Sequence, residues 1–256
     1  MQIDLNSDMG ESFGIYSIGA DEEILRWVTS ANVACGWHGG DPQVMRQTVE
    51  RAKTAGVAVG AHPSYPDLLG FGRRAMLLTR GEARDYMLYQ IGALRGFVEA
   101  VGMRLQHVKP HGAIYNVAVK DHDLSLGIAE GVADAGGDLI LVGLPDSEIV
   151  RAGQEVGLRV AREAFGDRAY NEDGTLVSRK IAGSLITDPE AVAERVLGLA
   201  HGTVRAITGK EIRLTADTIC LHGDTPGAGT LARRVRQRLE AAGITPAPMG
   251  SFLKRG

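Results

Sequence analysis

Seven short, mostly apolar runs separated by helical patterns constrain this chain more than any other feature. They cover residues 2–6, 32–36, 57–61, 105–109, 138–142, 158–164 and 218–222. Successive residues in them are apolar rather than strictly alternating, which suits parallel strands covered on both faces. The stretches between have readable helix ends. Asp41-Pro42 reads as an N-cap with proline at the first helical position, and Gly56 closes that segment. Thr79 and Glu82 fit a capping box, after which Met87, Ile91, Leu94, Val98 and Val101 recur at helical spacing. Asp188-Pro189 and Thr225-Pro226 repeat the cap-then-proline signal. Leu231, Val235 and Leu239 line a last helix that Gly243 ends.

This rhythm runs through residues 1–256 without a linker or a self-similar repeat, so it predicts one α/β domain. Seven strands favour a closed or nearly closed parallel β/α barrel over an open doubly wound sheet. An open sheet would usually carry a glycine-rich phosphate turn after its first strand, where residues 6–13 offer Asp and Glu instead. The start, MQIDLNSDMGES, lacks the basic and apolar stretches of a signal peptide, and no apolar run reaches the ~20 residues that span a bilayer. The expectation is a cytoplasmic protein with buried free thiols at Cys35 and Cys220. A net charge of -3, with scattered lysines and arginines, gives no reason to expect nucleic acid or a membrane as partner.

In parallel α/β folds reactive groups gather beyond the carboxyl ends of the strands. Here those ends carry Asp8 and Glu11, read as loop residues, then Cys35 through Asp41 with His38, and His62-Pro63. The later strand ends carry His107 through Gly112 with Lys109 and His111, Glu163 and Arg168, and His222-Gly223-Asp224. Five of the 7 histidines lie in these segments, and imidazole is suited to proton transfer near neutral pH. Blander readings compete. Asp41 is explained as a helix cap, Asp4 as an ordinary strand residue, His107 as a satisfied core histidine, and Cys35 as a small buried thiol. His122 and His201 read as structural. Gly36, Gly39 and Gly40 suggest close backbone approach or positive φ. The segment Gly70 through Arg74 is either a basic loop closing over an anion or a solvated turn. Thr208-Gly209-Lys210-Glu211 lacks the remainder of a phosphate loop, and no His-Glu-x-x-His or paired Cys-x-x-Cys signals a standard zinc site.

Taken together, these segments resemble the LamB/YcsF family. The resemblance rests on Asp4-Leu5-Asn6 with Asp8 and Gly10-Glu11, Asn32 through Asp41, Gly60 through Pro63, and His107 through Asn116. It continues with Glu163-Ala164-Phe165, Asp167-Arg168, Tyr170, Arg179 and Cys220 through Thr225. Ser7 stands where the family would lead one to expect cysteine, and Trp37 where phenylalanine is commoner; neither change removes a histidine or a carboxylate. The resemblance implies a seven-stranded, distorted TIM-like barrel related to the polysaccharide-deacetylase architecture. It implies ATP-dependent opening of the lactam of 5-oxo-L-proline to L-glutamate, with ADP and phosphate released and 5-oxoprolinase subunits B and C as partners. On this reading the catalytic set is Asp8, Glu11, His38, His62, Lys109, His111, His222 and Asp224. Asp8 or Glu11 with His38 or His62 would activate water, and Lys109 with Arg73 would neutralise phosphoryl charge. His111 and His222 would supply protons, with Asp224 orienting His222. Substrate contacts are expected at Asn6, Asn32, Asp41, Arg73, Tyr115, Glu163, Arg168 and Arg179. Two rival readings stand beside it. One is a divalent-cation amidohydrolase or deacetylase with Asp8, His38, Asp41 and His62 as ligands, and the other is a non-catalytic substrate-binding subunit.

Overall fold

The computed structural model of the chain describes residues 1–223 and 227–254. In chain order its first half comprises β1 (Gln2–Met9), α1 (Asp21–Ile24), β2 (Ser30–Ala34), α2 (Pro42–Ala55), β3 (Ala58–His62), α3 (Arg80–Ala100), β4 (Leu105–Val108) and α4 (Ala113–Ala118). There follow α5 (His122–Asp134), β5 (Ile140–Gly143), α6 (Glu148–Glu155), β6 (Arg159–Phe165), α7 (Pro189–Ala200), β7 (Thr203–Arg205), β8 (Glu211–Arg213), β9 (Thr218–Cys220), α8 (Ala228–Ala241) and β10 (Thr245–Pro246). Strands β1 through β6 pair in sequence, β6 pairs with β9, and β9 returns to β1. All of these pairings are parallel, which closes a seven-stranded barrel. Hence every barrel strand ends at the same rim.

Each of the seven apolar runs becomes a barrel strand, and the caps form where the sequence places them. Asp41, Thr79 with Glu82, and Asp188 all accept backbone N–H groups at helix starts, and Gly56 adopts the left-handed conformation at φ 70°. Thr225-Pro226 lies outside the described residues. Helix α3 shows why the layer outside the barrel holds. Met87, Ile91, Leu94 and Val98 form one stripe, all fully buried. Burying each of the larger ones contributes about 1.5–3 kcal/mol, and Leu94→Ala would cost about 2–5 kcal/mol.

Three features depart from the pattern. Strand β1 runs on to Met9, so Asp8 is a strand residue rather than a loop residue. Asp4, Asn6 and Asp8 break the apolar run, yet at period two all three fall on one face of the strand. The second departure is the antiparallel β7–β8 hairpin, whose connection holds Gly209 at φ 90°, so Thr208-Gly209-Lys210 is a turn. The third is β10 and the short helical turn Met249–Ser251, which close the other end of the barrel. There Met249 packs on Ile140, Val142 and Ala161.

Beside that apolar plug, the barrel interior beneath the rim carries a hydrogen-bonded polar network. Thr29, Ser30 and Thr218 hydroxyls donate to the buried carboxylate of Asp4 at 2.8, 2.6 and 2.5 Å. Burial pushes the Asp4 carboxyl up to about 6 against those hydrogen bonds. Above it, His107 Nε2–H donates to Asn32 Oδ1 (2.7 Å). Asn32 Nδ2 donates to Asn6 Oδ1 (2.8 Å) and Asp8 Oδ1 (2.7 Å). His107 is therefore the satisfied core histidine of the blander reading, and burial, then Lys109, hold it down to about 3. Gly60 makes room for it, since a Cβ there would lie 2.2 Å from the His107 ring.

Candidate functional site

A cavity of about 550 Å³ opens at the rim where β1, β3, β4, β6 and β9 end. Asp8, Glu11, His62, Arg73, Lys109, His111, Tyr115, Arg168, Arg179 and His222 all line it, so residues spread over most of the chain meet in one place. Asn6 and Asn32 are fully buried below its floor and act on it through Asp8. His38, only 1% exposed, lies behind His111, its ring stacked on that imidazole at 3.8 Å.

The tautomers of two histidines follow from their partners, because a backbone carbonyl only accepts. His62 Nδ1–H donates to the Lys109 carbonyl at 2.7 Å, and His111 Nε2–H donates to the Phe71 carbonyl at 2.9 Å. The remaining nitrogens, His62 Nε2 and His111 Nδ1, face each other at 3.0 Å. Two carboxylate oxygens join them: Glu11 Oε1 lies 3.4 Å from His111 Nδ1, and Asp8 Oδ2 lies 3.3 Å from His62 Nε2. Burial, followed by the neighbouring histidines, holds His111 well below the ordinary imidazole range; burial and then His62 do the same to His38. Acceptors thus converge on one point, and only a proton or a cation placed among them removes their mutual repulsion.

The donor chemistry fits a divalent cation. Glu11, His38, His62 and His111 each bring one ligand atom within 4.8 Å of the others. Imidazole and carboxylate suit zinc and related ions, and ring N–H groups tied to backbone carbonyls are the usual way ligand histidines are oriented. Two nitrogens bound at ~2.0–2.1 Å on a tetrahedral ion lie about 3.3 Å apart, close to the His62–His111 spacing. Of the ligands anticipated from sequence, His38 and His62 belong to this cluster. Asp8 borders it, and Asp41 does not belong to it. Asp41 Oδ1 accepts from Gln43 and Val44 N–H, and Oδ2 from Gly14 N–H, so it is a helix cap that also pins the loop after β1. Glu11 and His111 take its place.

Beside the cluster Lys109 is buried between carboxylates, its Nζ 2.8 Å from Asp8 Oδ1 and 2.9 Å from Glu163 Oε1. The Glu163 contact is an ion pair without hydrogen-bond alignment, which leaves Oε1 short of a hydrogen-bond donor. Glu163 Oε2 accepts from Tyr115 OH at 2.9 Å. Burial favours the neutral amine, but Asp8, Cys220 and Glu163 overcome it and hold the Lys109 ammonium well above its ordinary range. Burial likewise opposes the Asp8 charge, and His62 with Lys109 prevail, so Asp8 sits well below the usual carboxylate range.

On the β6–β9 side, His222 Nδ1 lies 2.8 Å from both oxygens of Asp167. Burial opposes the imidazolium, yet the Asp167 carboxylate raises His222 above its ordinary value. Asp224, assigned the task of orienting His222, lies outside the described residues; among them the carboxylate on His222 is Asp167. That residue stands two positions beyond β6, a spacing that could have singled it out. The loop from Gly70 through Arg74 is tied down along its backbone while Arg73 and Arg74 stay exposed. Asp67 accepts from Gly70 N–H and pairs with Arg74, the Phe71 carbonyl holds His111, and the Gly72 carbonyl accepts from Ala113 N–H. Gly72 sits at φ 64°, and a Cβ there would lie 2.1 Å from Ser64 Oγ, so only glycine lets this loop close on His111. Gly39 serves similarly: a Cβ would fall 2.8 Å from the Glu11 carbonyl oxygen.

Residues 3–254 match the LamB/YcsF family. The chain belongs to the LamB/YcsF family. It is 56% identical over 255 residues to the 5-oxoprolinase A subunit of Pyrococcus furiosus, covering 99% of this chain and 100% of that protein. It is 54% identical over 244 residues to the 5-oxoprolinase A subunit of Bacillus licheniformis, covering 95% and 96%. The crystal structure of the lactam utilization protein from Thermus thermophilus superposes with a TM-score of 0.92 at 48% identity, covering 96% of this chain and 99% of that one. A peptidoglycan N-acetylglucosamine deacetylase superposes with a TM-score of 0.51 at 12% identity, covering 100% and 89%, a likeness of fold alone. The barrel anticipated from the LamB/YcsF resemblance is therefore the one found. Among the described residues, no helix is long and apolar enough to cross a membrane.

Proposed function

We propose that this LamB/YcsF chain is the A subunit of a 5-oxoprolinase, working with subunits B and C to open the lactam of 5-oxo-L-proline to L-glutamate at the expense of ATP. The observation that carries the reading is the convergence of His62 Nε2, His111 Nδ1, Glu11 Oε1 and Asp8 Oδ2 on one point beside the buried Lys109 ammonium. Such a point suits hydrolysis at an unreactive carbonyl, and relatives named for lactam utilization and for the 5-oxoprolinase A subunit supply the substrate class.

A lactam carbonyl is a poor electrophile. Transfer of the γ-phosphoryl group of ATP to its oxygen releases ADP and makes the ring carbon attackable. Water then adds to that carbon and the C–N bond breaks, leaving a γ-acyl phosphate, and a second water releases phosphate and L-glutamate. Within this scheme Asp8, ionised well below the usual range, is too weak a base to accept the proton of water. Its task is to hold Lys109, and Glu11 with His62 receives the proton. Lys109 and Arg73 neutralise the developing oxyanion and phosphoryl charge. His222, its Nδ1 held by Asp167, delivers a proton from Nε2 to the leaving ring nitrogen once Arg179 Nη2, 3.1 Å away, is drawn off that nitrogen. A divalent cation on Glu11, His38, His62 and His111 would occupy the atoms that otherwise receive the proton of water, and would supply Lewis-acid polarisation of a carbonyl or phosphoryl oxygen in its place.

The test is glutamate release from 5-oxo-L-proline by this chain alone and with its partner subunits, each with and without ATP and a chelator. The proposal expects release only with partners and ATP, and a loss of at least ~10²-fold in His62→Ala or His111→Ala with folding intact. Near-normal turnover in both variants would sink it. The same acceptor cluster would serve a cation-dependent amidohydrolase, which ATP-independent, chelator-sensitive hydrolysis by this chain alone would reveal.

A further inference from the structure

The segment after β6 brings a second group of charges into the cavity that the hydrolytic scheme leaves unused. Arg168, 7% exposed, and Arg179 both line it. A guanidinium offers five N–H donors. Arg168 spends Nη2 on the Val177 carbonyl at 2.8 Å, while its buried Nε has no partner. Arg179 Nη2 lies 3.1 Å from His222 Nε2. Neither arginine forms a salt bridge among the described residues, and both oxygens of Asp167 face His222. Burial, and then the proximity of Arg179, lower the proton affinity of Arg168 by more than the Asp167 carboxylate raises it. A buried, under-satisfied guanidinium is costly, and what relieves it is a planar oxyanion accepting two N–H groups side by side.

We propose that Arg168 and Arg179 form an oxyanion subsite of this cavity, which takes the carboxylate of the lactam substrate or the phosphoryl group of its activated form. The naming of the substrate rests on the lactam reading above; the subsite itself rests on the two guanidinium groups. Its consequence is selectivity: the chain recognises an anionic lactam rather than the ring alone.

The experiment is calorimetric titration of the full chain with three probes: 5-oxo-L-proline, 2-pyrrolidinone (the same ring without the carboxylate) and inorganic phosphate. Arg179→Gln, at an exposed position, and Arg168→Lys, which keeps the charge but loses the fork, are compared with the parent, with thermal melts confirming folding. Each variant is expected to weaken oxyanion binding about 10- to 100-fold and to leave 2-pyrrolidinone unchanged. A carboxylate subsite shows as 5-oxo-L-proline binding at least ~10-fold tighter than 2-pyrrolidinone, with the gap vanishing in Arg179→Gln. A phosphoryl subsite shows as arginine-dependent phosphate binding while the two lactams bind alike. Arginine-dependent phosphate binding with no affinity for either lactam would keep the subsite and overturn the lactam reading instead. Oxyanion affinities unchanged in both variants, or no oxyanion binding to the parent chain, overturn the proposal.

Discussion

Replacing Lys109 by methionine tests the electrostatic core of the site, because methionine keeps the length of the chain and removes only the charge. The ammonium lies 2.8 Å from Asp8 and 2.9 Å from Glu163, and its residue is 3% exposed, so water cannot take its place. Removing one partner of a buried ion pair leaves the other uncompensated and costs about 3–5 kcal/mol. For a chain of this size each kcal/mol lowers Tm by roughly 2–4 °C, so a fall of about 6–20 °C is expected. The pH dependence carries a sign. In the parent, Asp8 lies well below its ordinary 3.8, so its contribution is present above that pH and is lost as pH falls through the lowered folded value. Lys109 lies above its ordinary 10.5, so its own contribution stays constant below that pH. In Lys109→Met Asp8 loses the Lys109 share of that stabilisation, and His62 is left to oppose burial. The gap between parent and variant is therefore full above about pH 4 and shrinks as pH falls below it. Urea denaturation on either side of that pH measures it. The double variant Lys109→Met/Glu163→Gln should recover part of the loss, with a coupling of about 0.5–3 kcal/mol. A penalty under about 1 kcal/mol, or a gap independent of pH, would refute the reasoning.

Three other outcomes follow from the same geometry. Asp41→Ala should cost about 1 kcal/mol of stability by removing the cap of α2, with turnover within about twofold of the parent; a collapse of turnover would return Asp41 to the site. Asp167→Asn should lower the His222 pKa, read by histidine NMR, and cost about 3–5 kcal/mol. His222 is raised above its ordinary 6.5, so its contribution is complete below that pH and lost above it. Asp167 is lowered from 3.8, so its contribution is complete above that pH and lost in acid, and the penalty peaks between the two. An unmoved His222 titration would argue against the pairing. After dialysis against zinc or manganese, elemental analysis should find roughly one ion per chain, absent in His62→Ala and His111→Ala and retained in Asp41→Ala. Retention in both histidine variants would exclude the cluster as a cation site.

Local rules were enough to make most of the architecture legible from sequence. The seven apolar runs became the seven barrel strands because a strand covered on both faces needs apolar residues in succession. The caps at Asp41, Thr79 and Asp188 were readable because capping is a contact within three residues. The rule that reactive groups gather where parallel strands end brought His62, Lys109, His111 and His222 to attention, and all four line one cavity. Tertiary structure alone decided how those groups divide. Whether Asp41 or Glu11 joins the histidines depends on which way a loop turns after β1: Asp41 is spent on Gln43 and Val44 of α2, and its bond from Gly14 N–H pins that loop. Asp8 escaped recognition as a strand residue because its stretch is polar on the face that meets Asn32 and Lys109 from distant strands. The tautomers that make acceptors of His62 Nε2 and His111 Nδ1 depend on carbonyls of Lys109 and Phe71, 47 and 40 residues away. Residue type says which protons a side chain has to offer, but where they go depends on partners that only barrel closure brings within reach.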